Sequence, residues 1–266
     1  MSEEPKHGAM PSVALGIEHL NVHYGRTPVL WDLQMDLPAG KCIGILGPNG
    51  AGKSTLIKAC LGLIPVASGR VQFFGCSLER VRGRVAYVPQ RSSVDWDFPI
   101  TVRDLVLMGR YGQLGLLQRP RASDKEAVSR VLETVGLTAL ADRQIGELSG
   151  GQQQRAFLAR ALLQDADLYF MDEPFVGVDH ATEAVIMELI HQLRAKGKTL
   201  LIVHHDLATV TRYFDWLVLL NIRLVAEGPT RLVFTPQMLE LTYGKSPAIL
   251  AEAQSLSLGQ SEGTLA

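Results

Sequence analysis

A short apolar run, Lys41-Cys42-Ile43-Gly44-Ile45-Leu46, leads directly into Gly47-Pro48-Asn49-Gly50-Ala51-Gly52-Lys53-Ser54-Thr55, and Leu56-Ile57-Lys58-Ala59-Cys60-Leu61 follows at once. The middle segment fills every fixed position of G-x-x-x-x-G-K-[ST]. In order, these are a buried strand, a glycine loop and the start of a helix, a junction that belongs to a helix-covered, mostly parallel sheet. The glycines let backbone N–H groups close around phosphate, and the dipole of the following helix favours the negative charge. The pattern assigns Lys53 to the β- and γ-phosphates of a nucleoside triphosphate and the Ser54 hydroxyl to Mg²⁺. A glycine turn without function would not need every fixed position filled.

A phosphate loop of this kind needs a carboxylate to hold the magnesium, normally at the end of a neighbouring apolar strand. Leu168-Tyr169-Phe170-Met171-Asp172 supplies one, and Glu173 follows it. Asp172 is expected to hold Mg²⁺ through its water shell and Glu173 to polarise the attacking water. Two adjacent acids after a strand could be a solvated turn, but the apolar run and the phosphate loop favour the chemical reading. Leu148-Ser149-Gly150-Gly151-Gln152 opens another helix, Gln153-Gln154-Arg155-Ala156-Phe157-Leu158-Ala159-Arg160. It is a second glycine-rich helix N-terminus able to cradle phosphate. One chain then carries two half-sites for one nucleotide. A head-to-tail dimer, in which Ser149, Gly150, Gly151 and Gln152 of each copy cover the phosphates on the other, resolves this.

Residues 13–37 alternate apolar and polar in short runs broken at Tyr24-Gly25 and Asp36-Leu37-Pro38, which reads as antiparallel strands and turns. Val71-Gln72-Phe73-Phe74 and Val85-Ala86-Tyr87-Val88 continue that pattern. From 101 to 163 the periodicity turns helical, with a loop at 113–123 between two pieces. Leu200-Leu201-Ile202-Val203 is a further short apolar strand, and a helix over 181–196 precedes it. The expected organisation is an N-terminal arm (1–12), one nucleotide-binding domain (13–245) with a helical subdomain at about 91–163, and a disordered tail (246–266).

Among the 266 residues the formal net charge is −1, so no basic excess exists to neutralise nucleic-acid phosphates and no nucleic-acid partner is expected. No apolar run is long enough to span a bilayer, and the N-terminus lacks the basic-then-apolar order of a signal peptide. Cys42, Cys60 and Cys76 are widely spaced, odd in number and free of any C-x-x-C pair, which suits reduced core thiols.

With these motifs in place, residues 13–244 closely resemble the nucleotide-binding subunit of ABC transporters. The resemblance implies an ATPase with a P-loop NTPase core, an N-terminal antiparallel β subdomain and an inserted α-helical subdomain. It implies that Tyr24 stacks on adenine and that Gln90, after Tyr87-Val88-Pro89, touches Mg²⁺ and the attacking water. It further implies that Asp179 lies in the loop crossing to the partner copy and that His205 contacts the γ-phosphate. Glu173, Gln90 and His205 then form the catalytic set. Phe175-Val176-Gly177-Val178-Asp179 departs from the Ser-Ala-Leu-Asp of many relatives. Of the pair His204-His205, one is expected to switch and the other to pack, because neighbouring residues at a strand end point in different directions. His180 has no assigned role.

The same resemblance implies a motor for a separate integral membrane permease, with an extracytoplasmic metal-binding protein as a further partner. The subunit itself would lie peripherally on the cytoplasmic side of the membrane. Trp96 and Phe98, set among aspartates in the segment 91–100, and Tyr111 in 105–112 read as docking anchors rather than core residues. The chain is most similar to motors of manganese, zinc and iron importers, with manganese or ferrous iron as the first expectation and zinc behind. A soluble ATPase of iron–sulfur cluster assembly is the alternative.

Overall fold

The computed structural model describes residues 13–112 and 119–244. The expected arm, the tail and residues 113–118 of the expected loop lie outside the described residues.

The alternating N-terminal segment forms a hairpin of β1 (Val13–Tyr24) and β2 (Thr27–Pro38). On β2, Leu33, Met35 and Leu37 are buried and the residues between them exposed, the period of two that a half-buried strand requires. β4 (Ser68–Phe73) pairs with the other edge of β1, giving an antiparallel sheet of order β2-β1-β4.

The continuous apolar runs form the second sheet. β3 (Cys42–Leu46), β6 (Leu168–Asp172) and β7 (Thr199–Val203) are buried at every residue, as strands covered on both faces are. With β5 (Val85–Val88), β8 (Trp216–Asn221) and β9 (Arg223–Pro229) the order is β5-β6-β7-β3-β8-β9. All neighbours run parallel except β9, which is antiparallel to β8. Alternate residues serve two cores. Ile43, Ile45, Phe170 and Leu201 pack with Leu15, Leu20 and Phe73 of the antiparallel sheet. Tyr169, Met171, Leu200 and Ile202 pack with the helices on the far side.

One strand differs from expectation. Val85–Val88 joins the edge of the parallel sheet rather than the antiparallel one. A run of four apolar residues has no period by which to choose a sheet. The choice is made by the chain before it, where α2 (Leu78–Val81) and the turn Arg82–Arg84 carry it across. The Asp167 amide then donates to the Arg84 carbonyl at 2.8 Å and sets β5 beside β6.

α1 (Lys53–Cys60) follows the phosphate loop. Between β5 and β6 lie α3 (Val102–Leu107), α4 (Ala122–Thr134) and α5 (Gly150–Gln164), with Val102, Val106, Val128, Leu132 and Phe157 in their shared core. α6 (His180–Ala195) connects β6 to β7, one residue earlier than the sequence suggests. The described residues close with α7 (Val210–Tyr213), α8 (Thr230–Val233) and α9 (Pro236–Tyr243).

The end of α3 crosses α5 so closely that a Cβ on Gly109 would collide with the Arg160 carbonyl oxygen. Gly109→Ala is therefore expected to cost about 2 kcal/mol or more, because backbone has to move to admit the methyl group. Urea unfolding measures it, and a midpoint unchanged from the parent would contradict the packing.

Candidate nucleotide-binding active site

Four parallel strands deliver the candidate residues to one edge. β3 lies between β7 and β8, and β6 lies between β5 and β7, so their carboxyl ends share the rim where open α/β sheets receive ligands. Ile45 and Asp172 both pair with Val203, so the phosphate loop, Glu173 and the two histidines step off the sheet at nearly one level. Val88 pairs with Met171, and Gln90 and Glu173 each stand two residues beyond that pair. Gln90 Nε2 donates to Glu173 Oε2 at 2.6 Å. Glu173 itself has φ 51°, a left-handed conformation uncommon for glutamate, and turns the chain as soon as β6 ends.

Gly52 caps α1 with φ 94°, and a Cβ there would lie 2.5 Å from Leu30 Cδ2 and 2.8 Å from the Val29 carbonyl. β2 thus leans directly on the loop, and only glycine fits. Lys53 is buried, with Nζ donating to the Gly47 carbonyl at 2.7 Å and the Pro48 carbonyl at 3.0 Å. Burial pulls its ammonium below the usual lysine range, while the nearby Glu173 and Asp172 carboxylates act in the opposite direction.

Asp172 is fully buried at the end of β6. Its Oδ1 accepts from the Ser54 hydroxyl at 2.9 Å, and Oδ2 is buried with no hydrogen-bond partner among the described residues. Burial raises its carboxyl above the ordinary value, opposed by the Ser54 hydrogen bond. A buried carboxylate oxygen left unpaired next to a hydroxyl is costly in isolation and suited to a hard cation taking oxygen ligands. Ser54 and Asp172 therefore fit Mg²⁺, with the Gln90–Glu173 pair as their neighbour.

The phosphate loop opens into a cleft of 390 Å³ walled by Asn49, Gly50, Ala51, Gly52, Lys53, Ser54 and Thr55, with Tyr24, Val29 and Glu173 completing it. That volume lies in the range of roughly 300–1,000 Å³ common to small-molecule sites. Tyr24 stands at the rim, 54% exposed at the end of β1. Val29 has no signal in the sequence. Only the hairpin register, which pairs Tyr24 with Thr27, brings it into the wall.

Gly47, Pro48, Gln90 and Asp172 do not line this cleft but are bonded to Lys53, Ser54 and Glu173, which do; Ser149, Gly150, Gly151, Gln152, Asp179 and His205 do not line it either. Ser149 and Gln152 form a reciprocal capping box at α5, with the Ser149 amide donating to Gln152 Oε1 at 2.9 Å and the Gln152 amide to Ser149 Oγ at 3.4 Å. A Cβ on Gly151 would sit 2.7 Å from Thr182 Oγ1, so α5 and α6 touch there. Asp179 caps α6, accepting from the Thr182 amide at 2.7 Å, and this bond holds its carboxyl below the usual range. The glycine-rich end of α5 and the cap of α6 are thus fastened together through Thr182, a residue sequence reasoning did not single out. His205 is exposed and His204 buried, the divergence expected for neighbours at a strand end.

The three aromatic residues read as docking anchors divide. Trp96 is half-buried, packs edge-on against Phe157 at 5.5 Å and donates Nε1–H to the Arg91 carbonyl at 3.0 Å. One part of the ring thus packs against the core, and another lines a surface pocket with Gln90, Arg91 and Val176. The exposed Asp95 and Asp97 solvate the loop while the ring between them turns inward. Phe98 and Tyr111 remain 57% and 54% exposed.

The profile of the family described as ABC transporter matches residues 30–176. The chain is 58% identical over 228 residues to the manganese transport system ATP-binding protein MntB of Bacillus subtilis (strain 168), covering 86% of this chain and 91% of that one. It is 57% identical over 231 residues to the zinc transport system ATP-binding protein TroB of Treponema pallidum (strain Nichols), covering 87% of each. Its fold matches the solved structure of an ATP-binding subunit of an ABC transporter with a TM-score of 0.74 at 27% identity, covering 91% of this chain and 99% of the other. A profile match across more than half the chain, joined to relatives sharing more than half their residues along most of it, settles the family: this chain is an ABC transporter ATP-binding subunit, and it hydrolyses ATP.

Proposed function

We propose that this ATPase drives import of a divalent metal ion through a separate integral membrane permease, supplied by an extracytoplasmic metal-binding protein. The observation that carries the catalytic part is Glu173 at the wall of the phosphate-loop cleft, oriented by Gln90 at 2.6 Å. The cargo rests on the relatives, whose names give manganese and zinc. Manganese stays first and zinc moves beside it. Iron retains only the sequence resemblance. The soluble assembly ATPase is disfavoured, since both relatives belong to transport systems.

Loop amides and Lys53 hold the phosphates, and Tyr24 with Val29 borders the adenine end. Ser54, Asp172 and Gln90 would hold Mg²⁺, which when bound offsets the charge between the β- and γ-phosphates. Glu173 Oε2 is engaged by Gln90, leaving Oε1 to take the proton of the attacking water. His205 contacts the γ-phosphate. Ser149, Gly150, Gly151 and Gln152, a second glycine-rich helix N-terminus on α5, are assigned to the nucleotide of a second, head-to-tail copy, with Asp179 at the crossing. Closure of that dimer around two ATP molecules moves the attached permease, and hydrolysis resets it.

Among the described residues no helix is long and apolar enough to cross a membrane. The exposed Phe98 and Tyr111 support docking of the permease, and the subunit so docked would lie peripherally on the cytoplasmic side of the membrane. ATPase activity of the chain, alone and with manganese- or zinc-importer permeases reconstituted in lipid, tests this reading. Stimulation by one permease is expected. Equal turnover with and without every permease would overturn it.

A further inference from the structure

His204 and Phe175 take no part in the chemistry above, yet they touch. The Phe175 ring stands edge-on to the His204 imidazole at 5.5 Å, with Phe214 at 5.3 Å and Tyr213 at 6.1 Å completing the enclosure. The His204 amide donates to the Ile45 carbonyl at 3.1 Å, fixing its backbone to β3. Its Nε2 lies 2.7 Å from Thr209 Oγ1, and that hydroxyl is also 3.2 Å from both the Asp206 carbonyl and Asp206 Oδ2. The Asp206 groups only accept, so the single hydroxyl hydrogen goes to them and Nε2–H donates to Thr209. One tautomer and one ring orientation result. Burial, with His205 acting in the same direction, holds the imidazole pKa at about 4, so the ring is neutral. Its Nδ1 is buried without a hydrogen-bond partner among the described residues, an unpaired atom that a hydrocarbon core residue would not have.

Phe175 stands two residues beyond Glu173 and four before Asp179, and His204 adjoins His205. We propose that His204 is a positioning residue whose oriented ring, packed on Phe175, holds the 173–179 loop and His205 in one arrangement, so that Glu173 meets the attacking water while His205 meets the γ-phosphate. This rests on the assignment of Glu173 and His205 given above.

The test compares Phe175→Ser, His204→Thr and the double variant in the full chain, reading kcat, KM for ATP, affinity for a fluorescent ATP analogue and thermal midpoint. Each single change is expected to lower kcat about five- to tenfold with KM and affinity within about twofold, and the double variant to fall no further than the worse single. Phe175→Tyr, which keeps the ring, should restore kcat. Unchanged kcat in Phe175→Ser, losses that multiply in the double variant, or losses seen in affinity instead would overturn the proposal. Should His204→Thr fail to fold, the half-buried Phe175 pair of variants decides alone. Glu173→Gln and His205→Ala run alongside separate the two levels. Turnover retained there sinks the active-site assignment, whereas turnover lost there with normal kcat in Phe175→Ser sinks only the coupling.

Discussion

Glu173→Gln is expected to bind ATP as the parent does, accumulate as an ATP-bound closed dimer, and lose turnover by about 100-fold or more. The size follows from the role. A positioned general base contributes roughly 10²–10⁴ in rate, and an amide in its place accepts a hydrogen bond but takes no proton. The geometry is spared, because the Gln90 amide can still donate to the side-chain oxygen of the new residue, as it now does at 2.6 Å. Removing the negative charge from the mouth of the cleft also lessens repulsion of the triphosphate, which favours the closed state. Phosphate release measures turnover, and size-exclusion chromatography with and without ATP measures closure. Hydrolysis near the parent rate would move the base to another residue.

Lys53→Ala is expected to act on binding instead, weakening ATP affinity about ten- to a hundredfold. That is the consequence of losing a charge-assisted hydrogen bond of about 1.5–3 kcal/mol inside a partly desolvated site. Lys53 is already inside the loop, where its ammonium donates to the Gly47 and Pro48 carbonyls. The side chain therefore has little further ordering to do when phosphate replaces those carbonyls. Titration with a fluorescent ATP analogue gives the affinity, and the thermal midpoint checks that the loop still folds. Unchanged affinity in a folded protein would remove Lys53 from the phosphates.

The parts of this site that could be read from the sequence are those whose chemistry is local. Strand, glycine loop and helix are contiguous at 41–61, Asp172 and Glu173 sit together after an apolar run, and Ser149 and Gln152 cap their helix within four residues. What escaped depends on contacts between distant segments. Val29 enters the cleft through hairpin register, and Thr182 matters because α6 rests on α5. Val85–Val88 chose the parallel sheet through the turn before it, which a four-residue pattern cannot encode. Trp96 and Phe98 are two residues apart in one loop, yet one packs on Phe157 and the other faces solvent. Aromatic content marks such a loop as important without saying which ring turns inward.

The position of β3 has a consequence for how this protein is made. The strand that carries the phosphate loop pairs with β7 and β8, which begin at Thr199 and Trp216, and the Ala51 carbonyl accepts from the Ile222 amide. A ribosome that has just finished the loop at Thr55 must add about 145 further residues before the first flanking strand exists, which at about 5–20 residues per second takes roughly 7 to 30 seconds. During that interval the nascent chain holds an apolar, unpaired strand and a loop with no frame behind it. Nucleotide can help neither to nucleate folding nor to protect it until β7 has been made, and the pairing itself is of the non-local kind that closes slowly.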